Sequence, residues 1–599
     1  MCTICVLVPR VGGVVRWRMF RAPWRFLIFL LLSLWFAAGI DGAHAPAERL
    51  FYAQTRALAR LSVDLSLDIE ALELADALGE KTVAPERPGV ALIALPFYAL
   101  GRLVGKMTGD DPRDPRGLTA QLTSLAAAFA GAAAVLALMQ AGLAMGLRRH
   151  STALMGILIA VATPLWPYGA RLAPPAFGLL ALAWIVYPLL RIDHEDNRVA
   201  LRWMLGVGLG LALLLDDVFL LCLPLLVLWA LVRLPRLIGR PGYLMAFALP
   251  LTLAGIVFAW HNHHAYGGMF DAPDGMAIHA HLLQTYLNAP AKQATSFFSH
   301  HLWPGAKFLL FNSGPMGEAL ARARQLPDVL RAVDFRGAFT WCPLLWLGFL
   351  GGWALGRDPD VKGVQRLLML FFLAAIGLRG VAQEMTPPYL YDIAVTLPFW
   401  LAWLLGVGFF IEYHVLSMRG KIFKVLFIAA LLLFFAVAVG NATMAVARHH
   451  LGSAPRTVAH WFAAPAASEP AAGEPLAELP VVSRADYFSD LNQAVDWATQ
   501  EPASLARTLW PGANNLPLYL PLLIALGLLP ALAGGLTIIV LRRREKSADD
   551  DEDDEDLPAP VTPRRRATDR REPDEEEDED DEEEVDDPVE GDEESDEDD

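Results

Sequence analysis

Cysteine is scarce in this chain: four among 599 residues, at Cys2, Cys5, Cys222 and Cys342. Two lie in the N-terminal arm and two in apolar runs, so no structural disulfide is expected and a secreted disulfide scaffold is excluded. Cys2 and Cys5 have CxxC spacing, but no second pair follows to complete a tetrahedral metal site. The chain also lacks a GxxxxGK[ST] loop, a GxSxG elbow, an HExxH helix and the kinase signature set. ATP hydrolysis by this chain is therefore not expected, and energy must come from a substrate or a gradient. Basic residues follow the apolar runs rather than forming a patch, so nucleic acid is not an expected partner. Charge is sparse at 19% of residues, against a hydrophobic fraction of 54% and a mean hydropathy of +0.36. A soluble enzyme is excluded, because apolar runs recur from residue 24 to residue 541.

The net charge of -17 hides two opposite parts. Residues 549–599 hold 31 of the 66 acids and five of the 49 bases, a net of -26, which leaves a body with a net of +9. The like-charged tail cannot bury a core and is expected to stay disordered. It offers a docking site to a basic protein partner.

Hydropathy gives about twelve spans, near 24–40, 119–147, 151–168, 175–190, 201–215, 218–235, 243–260, 338–356, 366–380, 392–414, 423–445 and 516–541. The chain thus reads as an all-α polytopic membrane protein. Its parts are an arm at 1–23, a transmembrane domain at 24–445 with outer loops 41–118 and 261–337, an outer loop at 446–515, a last helix at 516–541 and a tail at 542–599. Arg10 to Arg25 precede the first span. Arg148-Arg149, Arg191 to Arg198, Arg233 to Arg240, Arg357 to Arg366, Arg419 to Lys424 and Arg542 to Arg544 then fall on the same side. The positive-inside rule makes that side cytoplasmic, with both termini, in a bacterial-type cytoplasmic (inner) membrane. Val90–Leu103 is apolar but only 14 residues long. Counting it as a span would put Arg148-Arg149 outside, so it is read as an interfacial or re-entrant helix. Ala43-His44-Ala45 offers an alternative in which the first span is a cleaved signal, and Met19 an alternative start.

Charge at the edge of hydrocarbon is costly and marks candidate chemistry. Asp216-Asp217 interrupts an apolar run at the outer border, as a turn or as a metal or substrate site. Asp41 sits where the first span emerges, followed by Glu48, Arg49 and Arg56 on an expected helix, with Arg49 and Arg56 on one face. Asp64, Asp68, Lys81, Glu86 and Arg87 follow in the same loop. A carboxylate near paired bases suits a general base with a phosphate clamp. Seven of the fourteen histidines crowd the second outer loop, among them His261, His263, His264, His279 and His281. They are either zinc ligands or interfacial histidines, so the divalent-metal requirement stays open.

Four stretches resemble a known family. They are Ala47-Glu-Arg-Leu-Phe-Tyr-Ala-Gln-Thr-Arg-Ala-Leu-Ala59, the Pro-Gly opening of Pro88–Gly101, Ala162-Thr-Pro-Leu-Trp-Pro-Tyr168, and the pair Trp260–Gly267 and Phe335–Pro343. Over residues 41–415 the chain resembles the GT-C superfamily, in particular the aminoarabinose–lipid A transferases and protein O-mannosyltransferases (glycosyltransferase family 39-like). The resemblance implies a GT-C-like fold with extracytoplasmic juxtamembrane helices and no certain cofactor. It also implies a polyprenyl-phosphate-sugar donor among the membrane lipids. By the same resemblance Asp41 or Glu48 is the base, and Lys81, Arg87 and Arg171 hold the donor phosphate. Asp216 and Asp217 stand where relatives have a polar group, and Arg49 joins the polar site. The chain departs from the pattern in three places. The Asp-Glu pair is split into Asp41 and Glu48, Glu86-Arg87 replaces the Lys before Pro-Gly, and Thr386-Pro-Pro-Tyr389 lacks the usual Arg. Rival readings are a transporter or flippase coupled through Asp216-Asp217, or a non-catalytic scaffold working through its tail.

The charge rule yields the first expectation. Green fluorescent protein fused after Arg544 should fluoresce and alkaline phosphatase fused there should be inactive; the reverse pattern would invert the topology.

Overall fold

A computed structural model describes residues 22–43, 46–65, 87–192, 199–215, 241–269, 337–355, 393–418, 420–451 and 519–528, with Leu310, Leu368 and Leu505. All belong to one compact unit, Met1–Thr537. The described residues form helices and the turns between them. In chain order these are α1 (Ala22–Ala37), α2 (Pro46–Leu58), α3 (Gly89–Thr108), α4 (Leu118–Ala144), α5 (Arg149–Ala162), α6 (Leu165–Gly169), α7 (Pro174–Ile192), α8 (Val199–Leu215) and α9 (Pro241–Tyr266). Then follow α10 (Ala338–Trp341), α11 (Leu344–Leu355), a 3-10 segment (Ile393–Trp400), α12 (Leu401–Phe410), a π turn (Ile411–Leu416) and α13 (Lys421–Leu451). An apolar helix α14 covers Tyr519–Leu528.

Six of the described helical segments are long and apolar enough to cross a membrane, and five shorter apolar helices accompany them. Ten of the twelve expected spans contain one of these helices. Of the other two, 218–235 lies outside the described residues and 366–380 is described only at Leu368; the tail also lies outside them. Short connections make consecutive helices antiparallel. The runs α4 to α5, α7 to α8 and α12 to α13 therefore alternate between two ends of the bundle. One end holds Arg148, Arg191 and Lys421, the segments that the charge rule places together. The other holds Asp41, the first turn of α4 and the last turns of α8 and α9.

Small residues let these helices approach. A Cβ on Gly206 would strike the Phe247 carbonyl, one on Gly208 would meet Ala181, and one on Gly210 would meet Ala254. The triple glycine of α8 is thus a packing surface against α7 and α9. Gly348 and Gly351 of α11 meet Trp403 and Gly406 of α12 still more closely, backbone on backbone. Trp35, Trp341, Trp400, Phe36, Phe177 and Phe410 fill the spaces between. At the Arg148 end, Glu412 of the π turn accepts from Ser151 Oγ and pairs with Arg148 Nε at 3.0 Å, so it caps α5.

The segment read as a 14-residue interfacial stretch is a 20-residue helix, α3. Arg102 and Lys106 are carried within it, and it ends only at Gly109, which has a φ of 75° and donates to the Gly105 carbonyl. It is long and apolar enough to span, yet Gly89 packs on Leu214 at the end of α8, while Gly101 and Gly105 pack on Thr119 in the first turn of α4. Between these points Phe97 packs on Phe129, so α3 runs alongside the first half of α4. Its outward stripe is apolar: Pro96, Leu100, Leu103 and Met107 are exposed.

Asp110 pins this arrangement. Its carboxylate accepts from the Leu118 N–H at 3.0 Å, the Thr119 N–H at 2.8 Å and the Thr119 hydroxyl at 2.6 Å. Two Asx turns, Asp111 to Arg113 N–H and Asp114 to Arg116 N–H, shape the link that brings it there. Replacing Asp110 with Ala should cost about 1–2 kcal/mol and lower the thermal unfolding midpoint of the detergent-solubilised protein. Asp110→Asn should lose less; equal midpoints for all three proteins would refute the capping role.

Candidate functional site

The site is built from three stretches that meet at one end of the bundle. The first is the turn after α1. Ala43 N–H donates to the Pro115 carbonyl at 2.7 Å, Ser124 Oγ donates to the Gly42 carbonyl at 3.2 Å, and Leu505 N–H donates to the Ile40 carbonyl at 3.3 Å. Gly42 has a φ of 91°, and a Cβ there would strike the Pro115 carbonyl, so only glycine suits this position. Behind the turn Tyr519 packs edge to face on Trp35 and on Trp166, and those two rings lie tilted at 40° to each other. Asp41 is held buried within it.

The second stretch is α2. Its sequence reads as an amphipathic helix with a charged face toward water. In the structure Glu48, Gln54, Thr55 and Arg56 are buried along with Leu50, Phe51 and Ala57, and Arg49 is half-buried. The reason is tertiary: α3 and the 110–117 link cover α2. Tyr52 shows this, since its hydroxyl donates to the Pro112 carbonyl at 2.8 Å and its ring lies 6.2 Å from Tyr98. Burial pushes the Tyr52 phenol well above its ordinary range, with Arg56 beside it working in the opposite direction.

The third stretch runs from α6 into α7 and carries Arg171. Its Nε lies 3.9 Å from Glu48 Oε1, with side-chain exposures of 13% and 3%. At that distance the contact is an ion pair without a hydrogen bond. Arg171 Nη2 donates to the Ala445 carbonyl of α13 at 2.9 Å, and the guanidinium lies 5.1 Å from the centre of the Tyr168 ring. Arg171 thus joins α2 to α13. A neighbouring bond, from Asn441 Nδ2 to the Trp341 carbonyl at 2.7 Å, ties α13 to α10.

Arg87, just before α3, is also buried. Its Nη1 donates to Asn262 Oδ1 at 2.8 Å, and Asn262 Nδ2 donates to the Met269 carbonyl at 3.2 Å. These two bonds fix which way the amide faces. The Phe258 ring lies beneath the guanidinium at 4.6 Å. A buried guanidinium with one edge bonded and one face stacked is oriented as a rigid fork.

Of the residues singled out in sequence, the structure brings Glu48 and Arg171 into contact and places Asp41 and Arg87 at the same end. Lys81, Asp216, Asp217, His279 and His281 lie outside the described residues. His261 is buried beside Tyr266, whereas His263 and His264 are exposed. Among the described residues no group of three His, Cys, Asp or Glu side chains is placed to hold a metal ion. Sequence reasoning passed over Asn262, Tyr168 and Asn441. Asn262 was hidden among histidines that suggested metal. Asn441 carried a usable signal, an amide inside an apolar run, which a search for charge alone misses.

No protein-family profile and no curated protein matches the chain. Solved structures do. ArnT from Cupriavidus metallidurans in the apo state is 14% identical, with 79% of this chain and 76% of that one covered at a TM-score of 0.36. The same protein bound to undecaprenyl phosphate is 14% identical, with 81% and 78% covered at 0.36. The Archaeoglobus fulgidus oligosaccharyltransferase in the apo form is 11% identical, with 71% and 56% covered at 0.36.

Proposed function

We propose that this protein is a GT-C-type membrane glycosyltransferase that moves a sugar from a polyprenyl-phosphate carrier to an acceptor on the non-cytoplasmic side of the membrane. The observation that carries the reading is the buried pair of Glu48 and Arg171, at the end of the bundle that also holds Asp41 and Arg87. The reaction needs a carboxylate and a cation side by side at the membrane border. The acceptor, a hydroxyl or amine, attacks the anomeric carbon of the donor sugar. Its proton passes to Asp41 or Glu48. The bond between that carbon and the phosphate oxygen breaks, and polyprenyl phosphate leaves with the electron pair. Arg171 and Arg87 stabilise the charge that grows on the leaving phosphate. Lys81, Arg49, Asp216 and Asp217 take the remaining polar roles that the resemblance assigns.

The geometry supports these roles. Carboxylate and guanidinium are both shielded from water, where charge interactions are strong. Two separate arginines, one anchored on α13 and one on α9, flank the first outer loop.

The decisive measurement is mass spectrometry of lipid-linked sugars and envelope glycans in a deletion strain complemented with variants. Asp41→Asn or Glu48→Gln, whichever residue is the base, should lower turnover by about 10²–10⁴-fold with the protein still inserted. Full turnover in the double variant would remove the proposed base. Deleting residues 549–599 should leave turnover intact; loss of function on that deletion alone would favour the scaffold reading. Transport without consumption of lipid-linked sugar would favour the flippase.

A further inference from the structure

We infer that Asn262 is a positioning residue: it aims the Arg87 guanidinium without cancelling its charge, and so decides how much that cation gives to the departing phosphate. The inference rests on the glycosyltransferase reading above and adds to it a residue outside the reacting groups. Phe258 and Asn262 stand four residues apart on α9, on one face of its last turns. Together they form a seat for Arg87. The Phe258 ring, with its centre 4.6 Å from the guanidinium carbon, limits the tilt of the group. Asn262 Oδ1, accepting from Nη1 at 2.8 Å, limits its rotation. Asn262 is itself held: it is fully buried, and its Nδ2 donates to the Met269 carbonyl at 3.2 Å. Turning the amide over would set N–H against N–H and oxygen against oxygen, with both bonds lost. The backbone on the other side is fixed too. Gly89, two residues after Arg87, packs on the Leu214 carbonyl, and Leu214 shares an apolar cluster with Phe258.

A neutral amide suits this task better than a carboxylate. A planar cation binds phosphate best when its fork is aimed, whereas a lysine ammonium is a point charge that needs no aiming. An acid at position 262 would accept from Nη1 at least as strongly, but it would also neutralise Arg87. That charge matters most late in the reaction. A sugar-bearing polyprenyl phosphate is a phosphodiester with one negative charge. When the bond from the anomeric carbon to oxygen breaks, the oxygen keeps the electron pair and the departing monoester gains further negative charge. A cation held in place is therefore worth more to the departing group than to the intact donor, which raises kcat rather than tightening donor binding. Asn262 supplies the aim and leaves the charge whole.

Two lipids isolate that difference in charge: undecaprenyl phosphate, a monoester like the departing group, and its methyl ester, a diester like the donor. Their binding to the full-length protein is compared by native mass spectrometry from nanodiscs, beside turnover of lipid-linked sugar in the complemented deletion strain. The wild type should prefer the monoester by about tenfold, and Arg87→Gln should remove the preference. Asn262→Asp should lower the preference to about threefold or less and cut turnover by about tenfold or more. Asn262→Gln, which keeps a neutral amide, should retain most of both. Asn262→Leu, which leaves the charge unaimed, should fall between these two and serves if the acid variant does not insert. In an Arg87→Lys background Asn262→Leu should have a much smaller effect. A merely structural role would weaken both lipids alike and leave the preference unchanged. An unchanged preference in both Asn262→Asp and Asn262→Leu, with Arg87→Gln impaired, would overturn the positioning role alone. An unimpaired Arg87→Gln would remove Arg87 from the reaction and the inference with it. Failure of the wild type to bind either lipid would overturn the glycosyltransferase reading itself.

Discussion

A carboxylate and a guanidinium withdrawn from water need each other, and the rest of this architecture is arranged around that need. Glu48 lies on a helix whose sequence suits a surface, yet it is almost completely covered. Leaving a single charge there would be costly; Arg171 from a distant part of the chain makes it tenable. To deliver that arginine, the short helix α6 and the start of α7 must stand beside α2, and the Ala445 carbonyl of α13 must take its other edge. Arg171 thus ties α2, the α6–α7 corner and α13 together. The glycine-mediated crossings elsewhere in the bundle are what let helices come near enough for such contacts.

The two ends of the bundle treat charge differently. At the Arg148 end, Glu412 is saturated: a hydroxyl and a guanidinium fix it, and it terminates a helix. At the Asp41 end the contacts of Arg171 are looser, and a buried donor nitrogen has no acceptor. Saturated charge builds a scaffold, whereas incompletely satisfied charge is available to a ligand. The contrast lies in hydrogen-bond completeness, not in the number of charges.

Much of the fold was legible in the sequence because hydrocarbon enforces a simple code. Long apolar runs and the placement of arginines gave the helices and grouped Arg148, Arg191 and Lys421 at one end. Other features were not legible. Nothing local in Pro46–Leu58 tells that its polar face will be covered, since α3 and the 110–117 link do the covering. The pairing of Glu48 with Arg171 spans more than a hundred residues and leaves no periodic trace. Asp110 caps a helix from eight residues upstream, beyond the reach of any rule based on neighbouring positions. Asn262 was overshadowed by the histidines around it, although an amide can both accept from an arginine and donate to a carbonyl, which none of those imidazoles is shown to do here.

The course of α3 has a bearing on how the chain enters the bilayer. A 20-residue apolar helix is what the insertion machinery ordinarily accepts as a full crossing, and accepting this one would reverse the direction of every segment made after it. Which side the later helices start from therefore depends on whether the nascent α3 is passed through the bilayer or held at its surface. Arg102 and Lys106 within the helix, and an eight-residue turn rich in aspartate and proline leading straight into α4, bear on that outcome. Insertion and the covering of α2 are in this way tied to the same short stretch of polypeptide, because α3 also lays Tyr98 against Tyr52.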